Sequence, residues 1–81
     1  MPKLTFIDDV DLTRYEWTPE EVINQAIHWI TDRLLPEAFN DEIDYYHEIL
    51  KSLQDPDRNL QLRLADAIDI LESVSIYEKE E

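Results

Sequence analysis

The chain has 81 residues, which is the size of a single domain. It carries 20 acidic and 7 basic side chains, a formal net charge of −13, and therefore repels the phosphates of nucleic acids and anionic membranes. The absence of cysteine excludes disulfides and thiolate metal sites, and no apolar run reaches the roughly 18 residues that a membrane span requires. These features favour a cytoplasmic protein that contacts neither nucleic acid nor membrane directly.

The sequence contains no glycine. Tight turns with positive φ then have to be made by Asn or Asp, which disfavours folds with several β-hairpins. Helices joined by short turns of Pro, Asp and Asn fit this composition better. We therefore expect an all-α fold.

The first segment, residues 1–17, alternates apolar and polar side chains. A period of two indicates extended chain, but no second clear strand follows for it to pair with. We expect an extended N-terminal arm lying across the helices, and a short strand or a single helical turn within it stays open. The alternating pairs are Leu4 and Phe6, Val10 and Leu12, and Tyr15 and Trp17.

The start of a first helix is indicated at Thr18. Thr18 suits the N-cap, Pro19 suits the first helical position, and Glu21 lies three residues after the cap, as a capping box requires. Pro36 ends the helix near Leu34, because proline has no N–H and disfavours helical geometry in the residue before it. The apolar stripe of this helix comprises Ile23, Ile27, Ile30 and Leu34.

The second helix has two starts that its periodicity allows, Pro36 or Asp41. We favour 41–53, because Asn40 and Asp41 are better capping residues than Leu35. The residues 36–39 then form a turn, and Phe39 is expected to pack inward. The stripe continues through Ile43, Tyr46, Leu50 and Leu53.

The third helix is predicted over 55–77. Asp55 and Pro56 supply a cap and a first helical residue. Short connections make neighbouring helices antiparallel, so residues 18–77 are predicted to form a small antiparallel three-helix bundle. The acidic tail, 78–81, would follow a helix C-terminus, where the helix dipole disfavours it, and should fray. The stripe comprises Leu60, Leu64, Ala67, Leu71 and Val74.

A row of carboxylates accompanies the second helix, on the side opposite its apolar stripe. Like charges at helical spacing cost about 0.2–0.5 kcal/mol per pair, so the row indicates a use, with a merely solvated face as the alternative. Tyr45 lies beside Tyr46, and since adjacent residues cannot both face the core, one of them should be partly exposed. The candidate partner-binding residues are Glu37, Asp41, Asp44, Tyr45 and Glu48.

The two histidines give a weaker candidate site. In an antiparallel pairing of the first two helices, His28 lies level with His47 and Asp32 level with Asp44. Two histidines and two carboxylates suit a divalent metal ion. The alternative is a pair of half-exposed histidines bonded to nearby carboxylates.

Enzymatic chemistry finds no support in the sequence. A phosphate-binding loop needs glycine, and the serines have no partner histidine at a recognisable spacing. No cofactor is indicated. The leading hypothesis is a non-enzymatic acidic module that docks on a basic partner protein, such as a nucleic-acid-binding protein, as inhibitors, antitoxin-like proteins and nucleic-acid mimics do. The alternatives are a self-associating structural or accessory subunit, for instance a homodimer, and a divalent-metal-binding helical protein.

Overall fold

The computed structural model describes residues 3–79 and contains both helices and a sheet. The predicted all-α three-helix bundle is therefore wrong, and the architecture is mixed α/β. The elements are β1 (Leu4–Asp8), β2 (Arg14–Trp17), α1 (Pro19–Trp29), a π-helical turn (Ile30–Leu34), α2 (Asn40–Gln54), α3 (Leu60–Ser73) and β3 (Ile76–Glu78).

The three strands form one antiparallel sheet in the order β2-β1-β3. In the central strand Phe6 lies opposite Tyr15 on one side and Glu78 on the other. Alternation along each strand gives the sheet an inner face, which packs on the helices, and an outer face. The apolar residues of the inner face are Leu4, Phe6, Tyr15, Trp17 and Ile76.

The turns of this sheet explain why the all-α prediction failed. Leu12 (φ 62°) and Ser75 (φ 65°) adopt the left-handed conformation. In a chain without glycine, only Asn and Asp were expected to adopt it. A non-glycine residue in this conformation costs of order 1 kcal/mol or more, which the sheet contacts around it offset. Aspartates complete the first turn: the Asp8 carboxylate accepts the Val10 N–H at 2.8 Å, and that of Asp11 accepts the Thr13 N–H at 2.9 Å. The latter bond lowers the pKa of Asp11.

The extended chain predicted for the N-terminal segment is present as β1 and β2, but the prediction of an arm without a strand to pair with is wrong. β1 pairs with β2 inside the same segment and with β3 from the other end of the chain. The third helix runs over Leu60–Ser73 with Asn59 as its N-cap, so the predicted start at Asp55 and the predicted end at Tyr77 are both wrong. Glu78 belongs to a strand, and the Lys79 N–H donates to the Thr5 carbonyl at 2.8 Å. The fraying predicted for residues 80–81 falls outside the described part of the chain, as do residues 1–2 of the arm.

The predicted capping box of α1 is confirmed. Thr18 Oγ1 accepts the Glu21 N–H at 3.3 Å, and Glu21 Oε1 accepts the Thr18 N–H at 3.1 Å. The bond from the Thr18 backbone holds the pKa of Glu21 below its ordinary value. The regular α-helix ends at Trp29, and the Leu35 N–H donates to the Ile30 carbonyl at 2.8 Å, which marks the π-helical turn.

The core lies between the inner face of the sheet and the pair α1 and α3. These two helices pack most extensively on each other, whereas α2 contacts them lightly. The molecule is thin, with Cα extents of 38 × 33 × 16 Å, so the interior is small. The buried apolar side chains of residues 3–79 are Phe6, Val22, Ile23, Ala26, Ile30, Leu53, Ala67, Ile70, Leu71 and Ile76.

Candidate protein-binding surface

Helix α2 is the least buried of the three helices. It starts at Asn40, next to the predicted start and not at Pro36, and of its side chains only Leu53 is fully buried. Tyr46, Ile49 and Leu50 are half-buried, and burial raises the pKa of the Tyr46 hydroxyl. Since the packing of α2 is concentrated on one stripe at its C-terminal end, its opposite face is open to solvent.

The open face of α2 carries the candidate partner-binding residues. Asp41, Tyr45 and Glu48 follow at steps of four and three, which places them on one side of the helix, and Asp44 flanks them. Glu37 precedes the helix, in the turn that leads into it. All five side chains are exposed. Within residues 3–79 no salt bridge engages any of the four carboxylates.

An aromatic residue that we expected in the core lies exposed at the N-terminal end of α2. Phe39 is 75% exposed, so the prediction that it packs inward is wrong. It is the N-cap residue of α2, and Glu42 Oε1 accepts its N–H at 3.3 Å, which anchors its backbone while its side chain faces solvent. Phe39 has no side-chain oxygen, so it leaves unmade the bond that a Ser or Asp cap supplies.

The second exposed aromatic residue is Tyr45, at 58% exposure. The prediction that one member of the Tyr45 and Tyr46 pair is partly exposed is confirmed, and their ring centroids lie 5.4 Å apart. We call the set of exposed carboxylates and aromatic rings at α2 the acidic face. It comprises Glu37, Phe39, Asp41, Asp44, Tyr45 and Glu48.

The metal candidates are not gathered into a site. His28 Nδ1 lies 2.9 Å from Asp32 Oδ2, both on the exposed side of α1 and the turn that follows it. For His28 this agrees with the alternative, a histidine bonded to a nearby carboxylate, whereas within residues 3–79 His47 makes no such bond. Asp44 and His47 lie exposed on α2. In the part of the chain that the structure describes, no three His, Asp or Glu side chains form a group that could hold a metal ion.

A cleft that the sequence analysis did not anticipate lies between the inner face of the sheet and the end of α1. Its volume is about 360 Å³. Tyr15 and Trp17 of β2 form one wall, with ring centroids 4.7 Å apart and ring planes inclined by 15°. Trp29 and Gln25 of α1 line the other side. We call this site the aromatic cleft.

The charged residues at the aromatic cleft come from the π-helical turn and the residues before it. His28, Asp32 and Arg33 line it together with Ile76 of β3. The Arg33 guanidinium carbon lies 5.4 Å from the centre of the Trp29 ring, a cation–π contact. π-helical turns are rare and frequently occur at functional sites. The alternation of Tyr15 and Trp17 was the sequence signal for the wall, but only the pairing of the strands shows which helix they face.

Comparison with known protein families, characterised proteins and solved structures finds no match. None of the helices within residues 3–79 is long and apolar enough to cross a membrane. The function is therefore argued from the surface itself.

Proposed function

We propose that the protein is a non-enzymatic binding module that docks on a basic surface of a partner protein through its acidic face. The observation that carries this proposal is the exposure of two aromatic side chains, Phe39 and Tyr45, on the helix that also carries the unpaired carboxylates. Aromatic side chains dominate the binding energy of protein interfaces, and carboxylates around them select basic partners. A face that served only solubility would present the carboxylates without the rings.

The net charge supports a basic partner. At −13 the chain attracts cationic surfaces over a range of about 8 Å in physiological salt and repels anionic ones. Charge of this kind speeds association and suppresses wrong partners more than it adds affinity. The exposed rings supply the apolar contact, and Lys or Arg of the partner can also stack on them.

Local stability gives a second argument. Asp41 and Asp44, and Asp44 and Glu48, repel each other at helical spacing, at a cost of about 0.2–0.5 kcal/mol per pair. Phe39 at the N-cap forgoes a further 0.5–2 kcal/mol that a capping residue contributes. Both choices weaken α2 by itself, and a partner of opposite charge would turn the carboxylates from a cost into an attraction.

The partner class follows from the same chemistry. Proteins that bind nucleic acids present clustered Lys and Arg, and a row of carboxylates imitates the phosphates that these residues normally contact. The proposed module is thus an inhibitor, an antitoxin-like protein or a nucleic-acid mimic for a nucleic-acid-binding protein. Self-association on the same face would bring two rows of like charge together, which argues for a different partner.

The test compares two variants with the same net charge. Asp44→Lys with Glu48→Lys changes the acidic face, whereas Glu16→Lys with Glu72→Lys changes exposed residues on the sheet and on α3. Each replacement adds two charge units, so both variants carry −9 instead of −13. The wild type and both variants serve as baits for affinity capture from the source cell at low and high salt, with mass spectrometry of the eluates.

We expect a partner that the wild type and the Glu16/Glu72 variant retain and that the Asp44/Glu48 variant loses. With the purified partner, calorimetry should show binding weakened at least about tenfold for the Asp44/Glu48 variant, which corresponds to about 1.4 kcal/mol. High salt should weaken the wild-type complex. Equal losses in both variants would mean that total charge and not the acidic face binds, and equal retention would remove α2 from the interface.

A further inference from the structure

One wall of the aromatic cleft is a pair of stacked rings that is supported from the core. The stacked pair of Tyr15 and Trp17 is supported from inside the core by Phe6, whose ring meets that of Trp17 edge to face, with centroids 5.4 Å apart and planes at 80°. Phe6 is 1% exposed, so Trp17 packs against a fully buried side chain of the core. A volume of about 360 Å³ is at the lower end of ligand pockets and suits a compound of one or two fused rings.

The aromatic cleft has one carboxylate, Asp32, and one guanidinium, Arg33, and they differ in what they already contact. Asp32 is already engaged by His28, at 2.9 Å. Arg33 contacts the Trp29 ring, and no salt bridge within residues 3–79 engages its guanidinium. The charged group at this cleft that has no partner of opposite charge within residues 3–79 is therefore the Arg33 guanidinium.

Arg33 is held in a suitable state for binding an anion. A guanidinium is planar and can donate two parallel hydrogen bonds to a carboxylate, and the contact with the Trp29 ring holds the Arg33 guanidinium at the cleft. The π-helical turn contributes to this arrangement, because it places Arg33 next to the rings that α1 and β2 provide.

We propose that the aromatic cleft binds a small planar aromatic carboxylate. The ligand's ring packs against the open side of the Tyr15 and Trp17 pair, and its carboxylate pairs with Arg33. A cationic ligand would face the guanidinium, and a neutral ring would leave it without a partner. The proposal is independent of the proposed function, since the cleft is built by β2, α1 and the π-helical turn and the acidic face by α2 and the residues before it.

The test uses three compounds with the same ring and different charge: 2-naphthoate, 2-naphthamide and 2-naphthylmethylamine. Trp17 and Trp29 are the only tryptophans of the chain and both line the cleft, so their indole N–H signals in ¹⁵N-HSQC spectra report on it directly. Titrations at 0.15 M salt should show both indole signals shifting with 2-naphthoate, and a dissociation constant at least about tenfold lower than that for 2-naphthamide.

Three variants test whether the Arg33 guanidinium binds the carboxylate. Arg33→Gln should raise the dissociation constant of 2-naphthoate about tenfold, to that of the amide, whereas Lys51→Gln, which removes a positive charge from exposed α2, should leave it unchanged. Arg33→Lys keeps the charge without the planar group and should bind at an intermediate strength. The proposal is overturned if 2-naphthylmethylamine or 2-naphthamide binds as tightly as 2-naphthoate, if none of the three shifts the indole signals, or if Arg33→Gln binds like the wild type. Should Arg33→Gln not fold, the three compounds on the wild type decide alone.

Discussion

Helices α1 and α2 carry similar apolar stripes and are used in opposite ways. In α1, Val22, Ile23 and Ala26 are buried against α3 and the sheet, whereas in α2 only Leu53 is buried. Both helices begin with acidic residues, but α1 has a complete capping box and α2 has only the half that Glu42 makes. Apolar periodicity therefore predicts which side of a helix faces the protein, but it does not predict how deeply that side is buried.

The difference also separates the roles of the two regions. The sheet with α1 and α3 provides nearly the whole core, and α2 adds one fully buried side chain to it. Helix α2 can therefore accept residues that weaken it locally, such as Phe39 at the N-cap and the row of carboxylates, without much loss to the fold. A surface that is held by the fold but contributes little to it is suited to binding.

The largest loss of stability is expected from truncating a buried side chain of α3. Leu71→Ala removes a side chain that is 1% exposed and should lower the free energy of unfolding by about 2–5 kcal/mol, a large part of the stability of a small domain. Leu50→Ala removes the same atoms from half-buried α2 and should cost about 1 kcal/mol. Urea unfolding followed by circular dichroism measures both. Equal losses would show that α2 is packed as tightly as α3.

A smaller effect is expected from the cap of α1. Thr18→Ala removes the oxygen that accepts the Glu21 N–H and should cost about 1 kcal/mol, within a range of about 0.5–2 kcal/mol. Thr31→Ala, at an exposed position of the π-helical turn, is the matched control and should change stability by less than about 0.5 kcal/mol. The same unfolding experiment applies, and a Thr18 variant as stable as the control would show that the capping box contributes nothing.

The smallest change in stability, and the one of opposite sign, is expected at the cap of α2. Phe39→Ser introduces the missing cap oxygen at a residue whose backbone already has N-cap geometry, with φ −76° and ψ 160°, and should stabilise the domain by about 0.5–1 kcal/mol. If the proposed function is correct, the same change weakens partner binding at least about tenfold, because it removes an exposed ring.

Phe39→Ala is the control for that prediction, since it removes the ring without adding a cap. Its stability should match that of the wild type, and its binding should match that of Phe39→Ser. Thermal melts and calorimetry with the purified partner measure the two properties. If Phe39→Ser is less stable than the wild type, the ring supports the fold, and if it binds equally well, the ring is not an anchor.

The comparison of the two helices also shows how far sequence reasoning reached at the candidate sites. It found the carboxylates of the acidic face and Tyr45, because helical spacing alone decides that these residues share one side. It placed Phe39 inside, because an apolar residue in the rhythm of the stripe was assumed to be covered. It missed the aromatic cleft, whose residues Trp17 and Trp29 belong to a strand and a helix that approach each other only in the folded protein.

Features that depend only on residues close together in the chain could be predicted from the sequence. The capping box at Thr18, the stop before Pro36, the start of α2 and the extended character of the first strands all rest on interactions within a few residues, which every copy of such a segment makes. The net charge and the side of α2 that bears it belong to the same class.

Which strands pair with one another depends on the packing of the whole chain and is seen only in the folded protein. From the sequence alone, residues 76–77 belong to the predicted third helix. In the folded protein Ile76–Glu78 is instead a strand that pairs with β1 through backbone hydrogen bonds. Leu12 and Ser75 adopt left-handed conformations that are unfavourable for these residue types. The sheet contacts that the two turns allow stabilise the protein by more than this local strain destabilises it. Pairing between the two ends of a chain depends on the relative stability of whole arrangements, and no local pattern of residues carries that information.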